Sequence, residues 1–243
     1  IDCYQAAVRL QPDSLNAGGS LLFAMQGVCD WSQFDELSAR QRRGVLNLPA
    51  ADISPFTLLS IPSTPAEQLA CARKYTQSLV QDVGGGPRFQ FQRRAGTRLR
   101  IGYLSGDFRE HASATLFSEL FELHDRKLFE VFAYSQGPDD RSLQRSRLIR
   151  AFDRFVDVSG ISYTDAAAAI FSDQIDILVD LKGHTELARL ETLALRPAPV
   201  QVTYLGYPGT SGADFIDYAV VDRFVAPPGD ARYFSEKLIH MPA

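Results

Sequence analysis

The stretch Leu99-Arg100-Ile101-Gly102-Tyr103-Leu104 decides the fold, because it reads as an apolar strand followed by a polar loop and a helix. The helix is predicted over residues 112–123, where the apolar positions are Leu116, Phe117, Leu120 and Phe121. A second apolar strand is predicted at 129–134. Repeated strand–helix units with near-continuous apolar strands are typical of a parallel sheet between two helix layers.

The same alternation continues toward the carboxyl end of the chain. Helices are predicted at 142–152, 164–171 and 187–195, and strands at 154–158, 175–181, 200–205 and 218–221. The strand at 175–181 is so apolar that both of its faces should be covered. The sequence therefore predicts an α/β domain of the Rossmann-like, doubly wound kind.

The amino-terminal part has a helical pattern instead. Tyr4, Ala7 and Leu10 fall on one helix face, and residues 16–25 form a second helix with small and aromatic positions. This spacing is typical of the end of a tetratricopeptide repeat, and a plain helical hairpin is the alternative. One and a half repeats do not bury a solenoid core, so we expect further repeats upstream.

The helical part continues to a glycine-rich break. A helix is predicted from Asp30, as its N-cap, to Arg43, and another starts after Thr64-Pro65 and runs to about residue 80. Gly84-Gly85-Gly86-Pro87 then interrupts the pattern as a linker would. We predict two domains, a helical one at 1–86 and a Rossmann-like one at 87–243.

Composition excludes several classes of protein. The 243 residues are 45% hydrophobic and 22% charged, which is ordinary for a globular protein. There is no apolar run of roughly 18 residues and no signal-peptide pattern, so we expect a cytoplasmic protein without a membrane span. Cys3, Cys29 and Cys71 are widely spaced, which favours reduced thiols over disulfides or a zinc site.

The charge balance argues against a general nucleic-acid binder. The formal net charge is −4, whereas such proteins usually carry a basic face. Arg93, Arg94, Arg98 and Arg100 form one local basic stretch. This stretch either binds phosphate or is a solvated linker, and charge patterning favours the linker.

Polar residues follow three of the predicted strands. Residues 105–111 follow the first strand, 182–185 follow the strand at 175–181, and 206–212 follow the strand at 200–205. In an open α/β sheet, ligands bind beyond the carboxyl ends of the strands. We therefore expect these three loops to meet at one ligand-binding edge.

Two histidines lie in these loops. His111 precedes a helix N-terminus, whose positive end disfavours imidazolium and keeps the ring neutral, as a general base requires. The alternative is a capping or loop histidine. His184 has an equivalent position and could equally orient a substrate. His124 and His240 are interpreted as structural, and Asp173 and Asp176 lie at the opposite edge of the sheet.

The loop at 206–212 contains three glycines and two hydroxyl residues. Glycines let backbone N–H groups approach an anion, and Thr210 or Ser211 can add hydroxyl donors. A tight turn without a ligand is equally compatible with this composition. No G-x-G-x-x-G follows the first strand and no G-x-x-x-x-G-K-[ST] is present, which argues against a dehydrogenase and a P-loop NTPase.

Four motifs follow one another in order along this part of the chain. They are Arg98-Leu99-Arg100-Ile101-Gly102-Tyr103-Leu104-Ser105-Gly106-Asp107-Phe108 with His111; residues 175–181 with Gly183-His184-Thr185; Leu195-Arg196-Pro197-Ala198-Pro199-Val200-Gln201; and Leu205-Gly206-Tyr207-Pro208-Gly209-Thr210-Ser211-Gly212 with Asp217-Tyr218. Together they resemble the catalytic region of O-linked N-acetylglucosamine transferases, in particular the bacterial branch. Tyr233, Ser235, Glu236 and Leu238 fit further on. The resemblance covers about residues 1–25 and 97–243.

The resemblance implies the N-terminal lobe of a GT-B glycosyltransferase that uses UDP-N-acetylglucosamine to glycosylate Ser or Thr of proteins with inversion. His111 matches the histidine proposed in the family as catalytic base. The donor-binding segments of the family match His184, Thr185, Gly206, Tyr207, Pro208, Gly209, Thr210 and Ser211. No metal or other cofactor is expected, and the repeats would present the acceptor polypeptide.

The second lobe of the family is absent from these residues, so we expect this polypeptide alone to be inactive and to bind the nucleotide weakly. Two alternatives stay open at this point. One is an interaction module that binds protein partners without chemistry. The other is a GT-B transferase with a different acceptor, which the repeats argue against, since an extended solenoid suits a polypeptide.

Overall fold

A computed structural model describes residues 1–48, 52–84, 89–92 and 98–242 of the chain. They cluster into two compact units. The first contains Ile1–Asp82, Gly209–Asp214 and Arg223–Glu236, and the second contains Val83–Pro208, Phe215–Asp222 and Lys237–Ala243. The boundary predicted at 86–87 lies outside the described residues, as do Gly85, Gly86 and Pro87 of the predicted linker.

The first unit is helical, as its sequence pattern predicts. Its α-helices are α1 Asp2–Leu10, α2 Leu15–Gly27, α3 Phe34–Asn47, α4 Pro55–Leu59 and α5 Pro65–Val83, and a 3-10 helix covers Pro228–Tyr233. Apolar side chains of α2, α3 and α4 form its core, among them Leu22, Met25, Val45 and Leu58. Helices α1 and α2 are compatible with the predicted repeat end and with the plain hairpin given as its alternative, so the tetratricopeptide assignment stays a prediction.

Local side-chain bonds decide where these helices begin. Thr64 and Glu67 cap α5 reciprocally, because the Glu67 carboxylate accepts from the Thr64 N–H at 2.7 Å and the Thr64 hydroxyl accepts from the Glu67 N–H at 3.3 Å. The prediction of Asp30 as the N-cap of α3 is wrong. Its carboxylate accepts from the Ser32 N–H at 3.0 Å in a turn, and α3 begins only at Phe34.

The second unit contains a seven-stranded parallel sheet in the order β3-β2-β1-β4-β5-β6-β7. The strands are β1 Leu99–Ser105, β2 Phe129–Ser135, β3 Arg154–Asp157, β4 Ile177–Asp180, β5 Val200–Tyr204, β6 Tyr218–Val221 and β7 Lys237–His240. The predicted α/β class is confirmed. The short β7 was not predicted.

Helices cover the sheet, namely α6 Ala112–Glu122, α7 Leu143–Ala151, α8 Tyr163–Ser172 and α9 Leu190–Ala194. Phe117 and Phe121 of α6 and Leu148 of α7 pack with alternate side chains of the strands. The side chains between them along each strand point to the opposite face of the sheet. There the Tyr134 hydroxyl donates to Asp173 at the end of α8. Helix α9 begins later than predicted because Leu187 has a left-handed backbone, φ +61°, and the N-cap Arg189 has non-helical dihedral angles.

Two segments from the predicted second domain cluster with the helical unit, residues 209–214 and 223–236. Segment 209–214 contacts helix α5 of the helical unit. The Thr76 hydroxyl of α5 donates to the Ser211 carbonyl oxygen at 2.9 Å. Gly212 has φ +68°, and a Cβ there would lie 2.3 Å from the Ala72 carbonyl carbon. None of the helices in the described part of the chain combines the length and the hydropathy that a membrane span requires.

Candidate active site

The exit loops of β1 and β4 emerge side by side at the carboxyl edge of the sheet. The two strands are adjacent and parallel, and Leu104 is in register with Asp180. The loop after β1 carries His111, and the loop after β4 carries His184 and Thr185. The third predicted loop begins after β5, the other parallel neighbour of β4, so the sheet brings the starts of all three loops to one edge, as expected for parallel strands.

His111 is the N-cap of α6. Its Nδ1 accepts a hydrogen bond from the Ser113 N–H at 3.1 Å, which satisfies one of the free amides in the first turn. The side chain is 36% exposed, so a ligand can reach the ring. The capping bond that the sequence offered as an alternative is thus present, on a histidine that is open to solvent.

A buried ion pair joins the two loops beneath His111. The Lys182 Nζ lies 2.6 Å from the Asp107 Oδ2, and both side chains are about 95% buried. The same Asp107 oxygen lies 3.6 Å from the His111 Nδ1. Neither residue was among the predicted site residues, although a lysine directly after a buried strand was a usable signal.

Asp180 holds the loop that carries Lys182. Its carboxylate oxygens accept from the Lys182 N–H at 3.1 Å and from the Gly183 N–H at 2.7 Å. Complete burial raises the pKa of this carboxyl to about 6, and the two backbone bonds and the Lys182 charge act in the opposite direction. The end of β4 thus carries a second buried acid that was not predicted as a site residue.

His184 and Thr185 complete the turn after β4. The buried His184 ring lies edge-on to Tyr207, with centroids 5.1 Å apart. Gly183 has φ +55°, and a Cβ there would lie 2.4 Å from the Tyr207 Cβ, so the close approach requires glycine. The Thr185 hydroxyl donates to the Lys182 carbonyl oxygen at 2.8 Å. His184 and Tyr207, both predicted site residues, therefore contact each other.

The predicted loop at 206–211 is divided between the two units. Gly206, Tyr207 and Pro208 belong to the sheet unit, where a Cβ on Gly206 would lie 2.0 Å from the Leu181 carbonyl oxygen. Gly209, Thr210 and Ser211 belong to the helical unit. The glycine at 206 is thus explained by the close passage of the backbone that follows β4.

The hydroxyl residues of that loop are bonded to a buried carboxylate. Within the helical unit, Glu236 accepts from the Thr210 hydroxyl at 2.8 Å, from the Ser211 N–H at 2.6 Å and from the Ser211 hydroxyl. All three residues are at least 95% buried. The hydrogen-bond donors that the sequence predicted for a phosphate are therefore bonded to Glu236. Binding of the sugar-nucleotide donor by this segment stays a prediction.

The remaining sequence candidates lie away from the loops of β1 and β4, since His240 ends β7, the outermost strand, which β5 and β6 separate from β4. The His124 Nε2 lies 2.8 Å from the Tyr103 hydroxyl oxygen, and burial lowers the pKa of His124. His240 lies on β7, and Asp176 accepts from the Arg100 N–H at the amino end of the sheet. A cavity of about 270 Å³ also opens at that amino end, between Phe91, Phe171 and Pro199.

Two further predictions concern charge and metals. Arg100 binds Glu130 at 2.9 Å, whereas Arg93 and Arg94 lie outside the described residues. In the part of the chain that the structure describes, no three His, Cys, Asp or Glu side chains are grouped as metal ligands. A reaction without a metal stays a prediction.

Comparison with known proteins gives consistent matches. Residues 28–243 match the sequence profile of Glycosyl transferase family 41. A probable UDP-N-acetylglucosamine--peptide N-acetylglucosaminyltransferase of Arabidopsis thaliana is 38% identical over 91% of this chain and 24% of its own length. The UDP-N-acetylglucosamine--peptide N-acetylglucosaminyltransferase of Caenorhabditis elegans is 38% identical over 89% of this chain and 20% of its own.

A solved structure shows the same architecture. The chain is similar to a mutant of Thermobaculum terrenum O-GlcNAc transferase, with a TM-score of 0.74 and 29% identity over 98% of this chain and 46% of that one. The chain thus spans about a quarter or less of the two curated relatives and under half of the structural one.

Proposed function

Since the chain belongs to glycosyl transferase family 41, we propose that it forms one lobe of an enzyme that transfers N-acetylglucosamine from UDP-N-acetylglucosamine to Ser and Thr side chains of polypeptides. In this reaction the acceptor hydroxyl oxygen bonds to the anomeric carbon as the bond from that carbon to the diphosphate breaks. UDP leaves, and the hydroxyl proton is released to solvent, directly or through a side chain. The names of the two curated relatives support this assignment.

The observation that carries the proposal is the partly exposed His111 at the carboxyl edge, above the buried pair of Lys182 and Asp107. Open α/β sheets bind their ligands at this edge. A buried charged pair is costly unless function or geometry retains it, which favours a site over a plain loop. We place His111 against the reacting groups for this reason.

The other assignments follow the sequence resemblance. His184, Thr185 and the 206–211 segment line the donor sugar nucleotide in this proposal, with no metal ion. The helical unit belongs to a repeat array that presents the acceptor polypeptide, and a second lobe completes the cleft. We also propose that the enzyme is cytoplasmic.

The test uses the complete protein that contains this sequence, with UDP-N-acetylglucosamine and a library of Ser- and Thr-containing peptides. We expect sugar transfer that is detected by mass spectrometry. His111→Ala should lower kcat/KM by about a hundredfold, the usual cost of losing a group that contacts the reacting atoms. His240→Ala, an exposed histidine on β7, is the matched control and should keep full activity.

The alternatives predict other outcomes in the same assay. A protein-interaction module would bind polypeptides and transfer no sugar from any nucleotide donor. A transferase with another acceptor would consume the donor and leave every peptide unmodified. Full activity in His111→Ala would remove His111 from the site while leaving the reaction in place.

A further inference from the structure

The hydrogen bond at the His111 Nδ1 determines which ring nitrogen carries the proton. Nδ1 accepts from the Ser113 N–H at 3.1 Å, so in the neutral ring this nitrogen offers its lone pair. If Nδ1 were protonated, two N–H groups would face each other and the Ser113 amide would lose its acceptor. Leaving such an amide unsatisfied is costly when it is partly buried.

Asp107 is the competing partner for this nitrogen. Its Oδ2 lies 3.6 Å from the His111 Nδ1, beyond hydrogen-bond distance, and would attract a proton placed there. The Lys182 Nζ lies only 2.6 Å from the same oxygen, and both groups are shielded from water. Because the ammonium neutralises this carboxylate, Asp107 exerts little pull on the ring.

We infer that neutral His111 is held as the tautomer that is protonated on Nε2, with Lys182 and Asp107 as positioning residues. The loop that carries Lys182 is itself fixed by Asp180 through two backbone bonds. The ends of β1 and β4 thus act jointly on one ring.

The consequence for catalysis rests on the proposed function. A ring protonated on Nε2, with Nδ1 already bonded, donates a hydrogen bond to an oxygen of the substrate and accepts no proton through Nε2. This differs from the general base predicted from the sequence. The oxygen belongs to a sugar nucleotide or to the hydroxyl acceptor, and such a donor stabilises charge that develops on that oxygen.

The test is long-range ¹H–¹⁵N NMR on this chain at about pH 8.5, where ordinary imidazole side chains are neutral. The spectrum distinguishes the two tautomers without substrate or turnover. The chain has 4 histidines, so the resonance that disappears in His111→Ala assigns the signal. We expect mainly the Nε2-protonated pattern, and an Nδ1-protonated majority would overturn the inference.

Two variants test the causes separately. Ser113→Pro removes the N–H in the first helical turn, where proline is tolerated, and should raise the ratio of Nδ1- to Nε2-protonated ring by roughly fivefold. Ser113→Ala keeps the N–H and should leave that ratio unchanged. A ratio equal in both variants contradicts the role of the amide.

Lys182→Met tests the charge, because Asp107 then faces His111 without its ammonium partner. The Nδ1-protonated share should rise, whereas Lys127→Met, at an exposed lysine, should not change it. An unchanged share in folded Lys182→Met removes Lys182 from the mechanism. If this variant does not fold, the Ser113 pair and the unsubstituted chain still decide the inference. None of these spectra depends on sugar transfer, so a failure of this inference can be distinguished from a failure of the proposed function.

Discussion

At the end of β4, the buried Asp180 carboxyl has a pKa that is raised to about 6, well above its ordinary 3.8. The folded protein therefore binds this proton more tightly than the unfolded chain does. Its contribution to stability is favourable at low pH and is lost as the pH rises through 6. Each unit of difference between the folded and unfolded pKa values corresponds to about 1.4 kcal/mol, so the free energy of unfolding loses about 3 kcal/mol in total.

Asp180→Asn should remove this dependence. Urea unfolding at intervals from pH 4 to pH 7.5 gives the free energy of unfolding of both proteins, and we expect the unsubstituted chain to lose stability relative to Asp180→Asn across that range. The comparison cancels the other carboxyl groups, which titrate in both. A difference that is constant with pH would contradict a raised pKa.

The turn after β4 gives a second prediction at the scale of one residue. Gly183→Ala places a methyl group 2.4 Å from the Tyr207 Cβ on a left-handed backbone. We expect it to lower the free energy of unfolding by about 3 kcal/mol, from backbone strain and overpacking together. Gly160→Ala is the matched control, since a Cβ there meets no atom within 4 Å. Equal stability of the two variants would mean that the turn adjusts freely.

At the scale of elements, Glu236 holds the 209–214 segment inside the helical unit. Glu236→Ala leaves the buried Thr210 and Ser211 donors without their acceptor, at a cost of about 3 kcal/mol in the free energy of unfolding. Glu236→Gln keeps one acceptor oxygen and should lose less. Thermal and urea unfolding measure both.

The control for these variants is Glu119→Ala on the exposed side of α6. It should change the free energy of unfolding by less than about 0.5 kcal/mol, as surface substitutions usually do. If Glu236→Ala is as stable as this control, the carboxylate does not hold the segment.

The elements show what a sequence can and cannot predict. Strands β1, β2, β5 and β6 were placed within a residue of their observed ends, because each is an apolar run bounded by polar loops. Strand β7 was missed, since Lys237–His240 is short and mostly exposed and carries little apolar signal.

The candidate site was predictable only in part. His111 at a helix start was predicted, because capping depends on neighbours in sequence. The pairing of Lys182 with Asp107 was not, because the two residues are distant in sequence and only the parallel pairing of β1 with β4 brings them together. Glu236 was missed as the partner of Thr210 because these two residues are also distant in sequence.

At the scale of the whole molecule, the chain covers 46% of the related transferase structure. We expect the isolated 243-residue chain to show no sugar transfer from UDP-N-acetylglucosamine and only weak nucleotide binding by calorimetry. Joining it to a second lobe in one polypeptide should restore transfer. Robust transfer by the isolated chain would contradict a cleft shared by two lobes.

The strand order has a consequence for synthesis on the ribosome. Strand β1 lies inside the seven-stranded sheet, and β2 and β3 add to one side before β4, β5, β6 and β7 add in turn to the other. Each strand after β1 thus finds a neighbour already made when it leaves the exit tunnel. Parallel sheets fold slowly because their pairings are distant in sequence, and emergence in this order shortens the search at every step.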